Sequence, residues 1–114
     1  MAYQAVARAS EFQDGAVLGV EVGGTPVCLV QVDGVIKAIH DVCSHEEWAL
    51  HEGFVFDNAI ECALHGSTFD LDTGAPETLP ATTPVPVYPV RIEGDDVLVD
   101  VAAALNDAVA PDHF

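Results

Sequence analysis

Two short clusters of metal donors stand out in the chain. The first is Cys43-Ser44-His45 and the second is Cys62-Ala63-Leu64-His65, with sixteen residues between them. Each offers one thiol and one imidazole, spaced Cys-x-His and Cys-x-x-His. Thiolate and imidazole together suit zinc, copper, nickel and iron–sulfur centres. A structural zinc site usually draws its first pair as two Cys and its second as two His or two further Cys. A matched Cys plus His in each cluster suits instead a centre with two unlike ends, one taking thiolates and the other imidazoles.

Cys-x-His, a gap of this size and Cys-x-x-His-Gly resemble the Rieske family, whose [2Fe–2S] cluster has two Cys on one iron and two His on the other. The resemblance covers both ligand loops and, more loosely, the whole chain. It implies that Cys43 and Cys62 hold the inner iron and His45 and His65 the outer one, with the imidazole edges nearest solvent and a docking partner. It also implies that backbone N–H groups around Glu46 to Trp48 and Gly66 to Thr68 point at sulfur. Gly66 would let the chain come close to the cluster. Trp48 is expected either as an apolar wall over the cluster or as an exposed docking contact.

Two thiolates and two neutral imidazoles leave the oxidised diiron centre neutral, whereas four thiolates would make it a dianion. Adding an electron is then easier than in plant-type ferredoxins. High-potential relatives carry an extra Cys pair that ties the loops, and Leu64 stands where one of those Cys would fall. They also have a Tyr hydroxyl bonded to a ligand sulfur; Phe69 stands there and cannot donate. Ser67 does match their pattern, in which a Ser hydroxyl bonds a bridging sulfide. With Glu46 and Glu47 nearby, the expected potential is at the low end, on the order of −150 mV.

The elements that must position these residues read as strands. Strand-like runs with turn punctuation recur throughout, and long helical periodicity is absent. Strands are expected over 3–7, 16–22, 26–32 and 35–40, the last two joined by the hairpin signal Asp33-Gly34. Gly53 to Phe56 and Ala59 to Glu61 read as a hairpin about Asp57-Asn58, which would bring Cys62 beside Cys43. Thr68 to Leu71 is short and strand-like. The Pro-rich passage from Gly74 to Pro89 cannot be a central strand. Its part from Gly74 to Pro80 is expected to cover the cluster, as a Pro-containing loop does in the family, and an edge strand is expected from Pro84. Strands over 87–92 and 97–101 complete the pattern, with a short helix over 102–109.

This pattern predicts an all-β fold, an antiparallel sandwich or barrel. The resemblance adds a small cluster-binding subdomain of two loops at one end. One Rieske domain is expected over 1–101, its cluster-binding part about 42–83, followed by a tail over 102–114. Cys28 reads as a small buried hydrophobe, His40 as structural and His51 as a surface residue.

Three basic residues against nineteen acidic ones give a formal net charge of −16. Such a surface repels nucleic acid and anionic membrane, favours a basic partner and resists self-association, so a monomer is expected. No apolar run of eighteen residues exists and the N-terminus lacks a signal-peptide pattern, so a cytoplasmic protein is expected. An odd cysteine then poses no difficulty. No second iron site of two His and a carboxylate is legible, which argues against an oxygenase catalytic subunit.

What remains is a one-electron shuttle, not an enzyme. The resemblance is to the small Rieske-type ferredoxins of bacterial aromatic-hydrocarbon catabolism, serving dioxygenase systems such as those for biphenyl, naphthalene and carbazole. It implies a flavin-containing ferredoxin reductase as donor and a terminal oxygenase as acceptor. Two alternatives stay open: a small Rieske-like subunit of a nitrite reductase, and a zinc-binding interaction module using the same four residues.

Overall fold

Short runs rich in apolar residues, separated by turns, form ten strands among the residues described by the structure, a computed structural model covering 3–42, 49–63, 66–77 and 84–106. They are β1 (Gln4–Arg8), β2 (Val17–Val22), β3 (Thr25–Val32), β4 (Val35–His40), β5 (Phe54–Phe56), β6 (Ala59–Glu61), β7 (Thr68–Asp70), β8 (Val87–Tyr88), β9 (Val90–Glu93) and β10 (Asp96–Val99). All pairings are antiparallel, in three sheets ordered β2-β3-β4-β8, β1-β10-β9 and β5-β6-β7.

The β3–β4 hairpin is the frame. Asp33 takes φ of 51° in the turn, and Val32 pairs with Val35 across it. Asp and Asn accept this left-handed conformation at little cost. The run Val27 to Val30 is buried throughout because β3 is covered on both faces. Cys28 and Val30 join Ile39, Leu50, Ile60 and Phe69 in one core. Val27 and Leu29 point the other way, to Ala38, Val97, Val99 and Phe12. The four-stranded sheet is therefore a middle layer, with β5–β7 on one side and β1-β10-β9 on the other. Each fully buried aliphatic side chain contributes about 1.5–3 kcal/mol.

The expected strand over 87–92 breaks at Pro89. Before it, Tyr88 and Val87 pair with Ala38 and Ile39 of β4; after it, Val90 pairs with Val99 of β10. Proline lacks the N–H that would continue the first ladder, so the chain changes sheets there. β8 is nevertheless an edge strand, as expected from Pro84 onward.

The helix expected over 102–109 is not seen in its first half. Residues 101–106 run as turns and bends, and Leu105 N–H donates to the Val87 carbonyl at 2.7 Å. Docking on β8 satisfies the backbone that a helix would otherwise satisfy internally. Residues 107–109 lie outside the described residues. Among the described residues no helix is long and apolar enough to cross a membrane.

Candidate metal centre

β4 leads directly into the first donor cluster. Cys43, His45, Glu46, Glu47 and Trp48 lie outside the described residues, but both ends of their segment are placed. Val42 and Ala49 pair as an antiparallel bridge. Next to that bridge, the Asp41 carbonyl accepts from Leu50 N–H at 3.0 Å, and Asp41 N–H donates to the Pro26 carbonyl at 3.1 Å. The Asp41 carboxylate accepts twice from His51, from its backbone N–H at 2.7 Å and from ring Nδ1. Burial pushes the Asp41 carboxyl up, and the His51 bonds oppose that shift. His51, expected as a surface residue, is 40% exposed yet fastened to Asp41. Its ring lies over Gly19, where an added Cβ would come within 2.4 Å of Nδ1.

The second cluster leaves β6 at Cys62. Cys62 N–H donates to the Ser67 carbonyl at 2.7 Å, and Gly66 N–H donates to the Cys62 carbonyl at 2.9 Å. These bonds close a tight loop whose return to β7 is made by Gly66 at φ of 76°. Among the described residues a Cβ there meets no atom within 4 Å, and the positive φ is itself a conformation that favours glycine. His65 lies outside the described residues. Cys62 and Ser67 are both wholly buried. Cys62 shares one apolar core with Leu50, Ile60 and Phe69, so it and the neck of the first segment stand over the same packing. Phe69, marked in the sequence for its missing hydroxyl, is a fully buried member of that core.

The Pro-rich passage starts by running back beside β7. Asp70 N–H donates to the Ala75 carbonyl at 2.9 Å, Phe69 bridges to Pro76, and Glu77 N–H donates to the Thr68 carbonyl at 2.7 Å. That direction leads toward the Cys62–Ser67 loop. Residues 78–83 lie outside the described residues, so the expected cover is followed only to Glu77. The passage is pinned where it leaves and returns: Val85 N–H donates to the Gly74 carbonyl at 2.9 Å. Gly74 has φ of 72°, and a Cβ on it would meet the Val85 carbonyl at 2.0 Å. Asn106 completes the pin. Its amide donates to the carbonyls of Thr73 and Val85, and its oxygen accepts from Val87 N–H.

Two expectations about other groups agree with the geometry. Cys28 is fully buried, and burial, with the nearby Asp41 charge, pushes its thiol well up. His40 is buried with Nδ1 2.9 Å from the Tyr88 hydroxyl. Sequence reasoning missed Asp41, His51 and Asn106 as positioning groups. An acid two residues before Cys43, at the end of an apolar strand, was the available signal for the first; for Asn106 there was none.

A buried cysteine on a closed loop, over an apolar core shared with the neck of the other donor segment, fits a sulfur-ligated cluster better than an exposed ion. Among the described residues no three His, Cys, Asp or Glu gather to hold a metal. Of the four donors marked in the sequence, Cys62 is the one that lies within the described residues.

Comparison with known proteins gives the same chemistry. The family model described as Rieske [2Fe-2S] domain matches residues 2–89. The chain is 40% identical over 106 residues to the biphenyl 2,3-dioxygenase ferredoxin component of Rhodococcus jostii RHA1, covering 93% of this chain and 99% of the relative. The ferredoxin of carbazole 1,9a-dioxygenase from Nocardioides aromaticivorans IC177 superposes with a TM-score of 0.83 at 32% identity, over 98% of this chain and all of that one. A ferredoxin solved in complex with the oxygenase of carbazole 1,9a-dioxygenase matches at 34% identity and TM-score 0.80, over 85% of this chain and 91% of that one.

Proposed function

Since the chain belongs to the Rieske [2Fe-2S] family, we propose that it carries single electrons from a flavin-containing, NAD(P)H-dependent reductase to the terminal oxygenase of an aromatic-ring dioxygenase system. It holds one Rieske-type [2Fe–2S] cluster and is an electron-transfer component, not a catalytic subunit. When bound, that cluster supplies a reversible one-electron couple. Its ligands are proposed to be Cys43 and Cys62 on one iron and His45 and His65 on the other.

The observation that carries this reading is Cys62, buried on a loop closed by Ser67 and Gly66 and packed over the core that also holds Leu50. The residues of this chain do three things there. The Asp41–His51 pair and the Val42–Ala49 bridge close the first segment. The Cys62–Ser67 loop fixes the second. Leu50, Ile60 and Phe69 exclude water beneath Cys62, which favours a stable thiolate–iron bond over exchange with solvent. Ser67 is proposed to tune the potential, with Trp48 over the cluster. The domain is assigned to 1–101, with the cluster-binding part about 42–83 and a tail from 102, and the working compartment to the cytoplasm.

Likeness to ferredoxin components over nearly the full chain favours this reading over a nitrite reductase small subunit. The test is chemical first and functional second. The purified protein is expected to be red-brown with equal iron and acid-labile sulfide. It is then expected to couple NADH oxidation by a ferredoxin reductase to hydroxylation by a terminal oxygenase. One zinc and no sulfide would assign the four residues to a zinc module.

A further inference from the structure

We propose that the outer face of the β5–β7 sheet is a docking surface for a protein partner that presents an apolar hollow ringed by Lys and Arg. This inference rests on the carrier reading above.

Phe54 and Phe56 are 59% and 54% exposed. They stand two residues apart on a strand and so share one face, while Val55 between them packs against the core. The other exposed large hydrophobics among the described residues, Leu18, Val35, Ile92 and Leu105, are aliphatic and stand on four different segments, with Val35 and Leu105 lining one groove. Isolated exposed apolar residues are ordinary, but paired aromatics on one face are a contact surface in waiting. Aromatic side chains also dominate protein interfaces energetically.

The charge around them selects the occupant. Phe54 pairs with Glu61, which pairs with Thr68, and Phe56 pairs with Ala59, which pairs with Asp70. Glu77 joins the same edge through its bond to Thr68. A groove of about 410 Å³ opens between Phe56, Asp70 and Glu77. The three cations of the chain are all committed to its own carboxylates: Arg8 to Asp95, Lys37 to Asp72 and Arg91 to Glu93. A second copy would bring another net −16 against this face, which disfavours self-pairing and favours a basic partner. The face is also well placed for electron delivery. The row Phe54–Glu61–Thr68 abuts the second ligand loop, since Glu61 precedes Cys62 and Thr68 follows Ser67.

The test uses the holoprotein with the NADH-dependent flavin reductase and the terminal oxygenase of a biphenyl 2,3-dioxygenase system as probes. Wild type is assayed first, for reduction by the one and for support of the other. Failure of both overturns the carrier reading and this inference with it. With wild type active, the double variant Phe54→Ser, Phe56→Ser is expected to raise KM for the carrier about tenfold in at least one reaction. Its kcat, iron content and midpoint potential should stay at wild-type values. Glu61→Lys with Glu77→Lys is expected to raise the same KM and to flatten its dependence on salt. A wild-type KM for both double variants in both reactions overturns the docking surface while leaving the carrier reading intact. A wild-type dimer in sedimentation that the serine pair dissolves would also overturn it, by assigning the face to a second copy.

Discussion

Asp41 binds His51 twice, once at the backbone and once at the ring, and so closes the neck of the segment that bears Cys43 and His45. Asp41 and His51 stand ten positions apart in sequence, yet one carboxylate spans the gap. Gly19 makes the arrangement possible by leaving room for the imidazole.

His51→Ala is expected to destabilise the oxidised holoprotein by about 1–3 kcal/mol, because a buried carboxylate loses a partner. Gly19→Ala is expected to cost a similar amount by driving the ring off Asp41. Residues in one network are not additive, so the double variant should cost little more than either alone. Urea unfolding measures all three, and additive losses would mean the ring does not link the two sites.

Asn106→Ala removes three hydrogen bonds that join Thr73, Val85 and Val87. A loss of about 1–3 kcal/mol is expected. Truncation after residue 104 should reproduce it. Thermal unfolding of both, beside wild type, checks the prediction; a truncated chain as stable as wild type would remove Asn106 from the fold's supports.

Cys62→Ser is expected to abolish retention of iron and sulfide, read by metal analysis and acid-labile sulfide. His45→Cys or His65→Cys, where a cluster still assembles, should lower the midpoint toward the plant-type range near about −400 mV, since a thiolate replaces a neutral ligand. Potentiometric titration decides, and an unchanged or raised midpoint contradicts the proposed ligand set.

Phe69→Tyr is expected to raise the midpoint by offering a hydroxyl to sulfur. Phe69 and Cys62 belong to the same buried core, which sets up that contact. Voltammetry of the variant against wild type reads the shift; no rise would show that the hydroxyl does not reach.

Tyr88 is 4% exposed, and burial pushes its hydroxyl up to about 12. The fold therefore holds this proton more tightly than the unfolded chain does. The resulting stability is complete below the unfolded value near about 10 and is lost as pH climbs toward 12. A loss of about 2–3 kcal/mol across that window is expected in urea midpoints, tracking tyrosinate absorbance. Tyr88→Phe should flatten the slope.

Much of the fold was legible in the sequence because local patterns and tertiary needs agree. The Asp33-Gly34 turn, the Asp57-Asn58 turn and the apolar run over β3 each state their role within a few residues. Pro89 carried its message less clearly. Its lack of an N–H argues for a break, but which sheet receives each side depends on β4 and β10, far away in the chain. The same holds for Asn106, an unremarkable amide whose three partners lie at 73, 85 and 87.

By itself the sequence determined which donors are on offer: two thiols and two imidazoles in matched pairs, on a β-patterned and strongly acidic chain. Those are properties of residue type and spacing, and no folding is needed to read them. Tertiary structure alone decided that Asp41 and His51 close the first donor segment, that Cys62 and Leu50 share one core, and that Phe54 and Phe56 face outward beside Glu61. Each of these depends on contacts between residues brought together by strand pairing, and register between strands is set by the whole sheet at once.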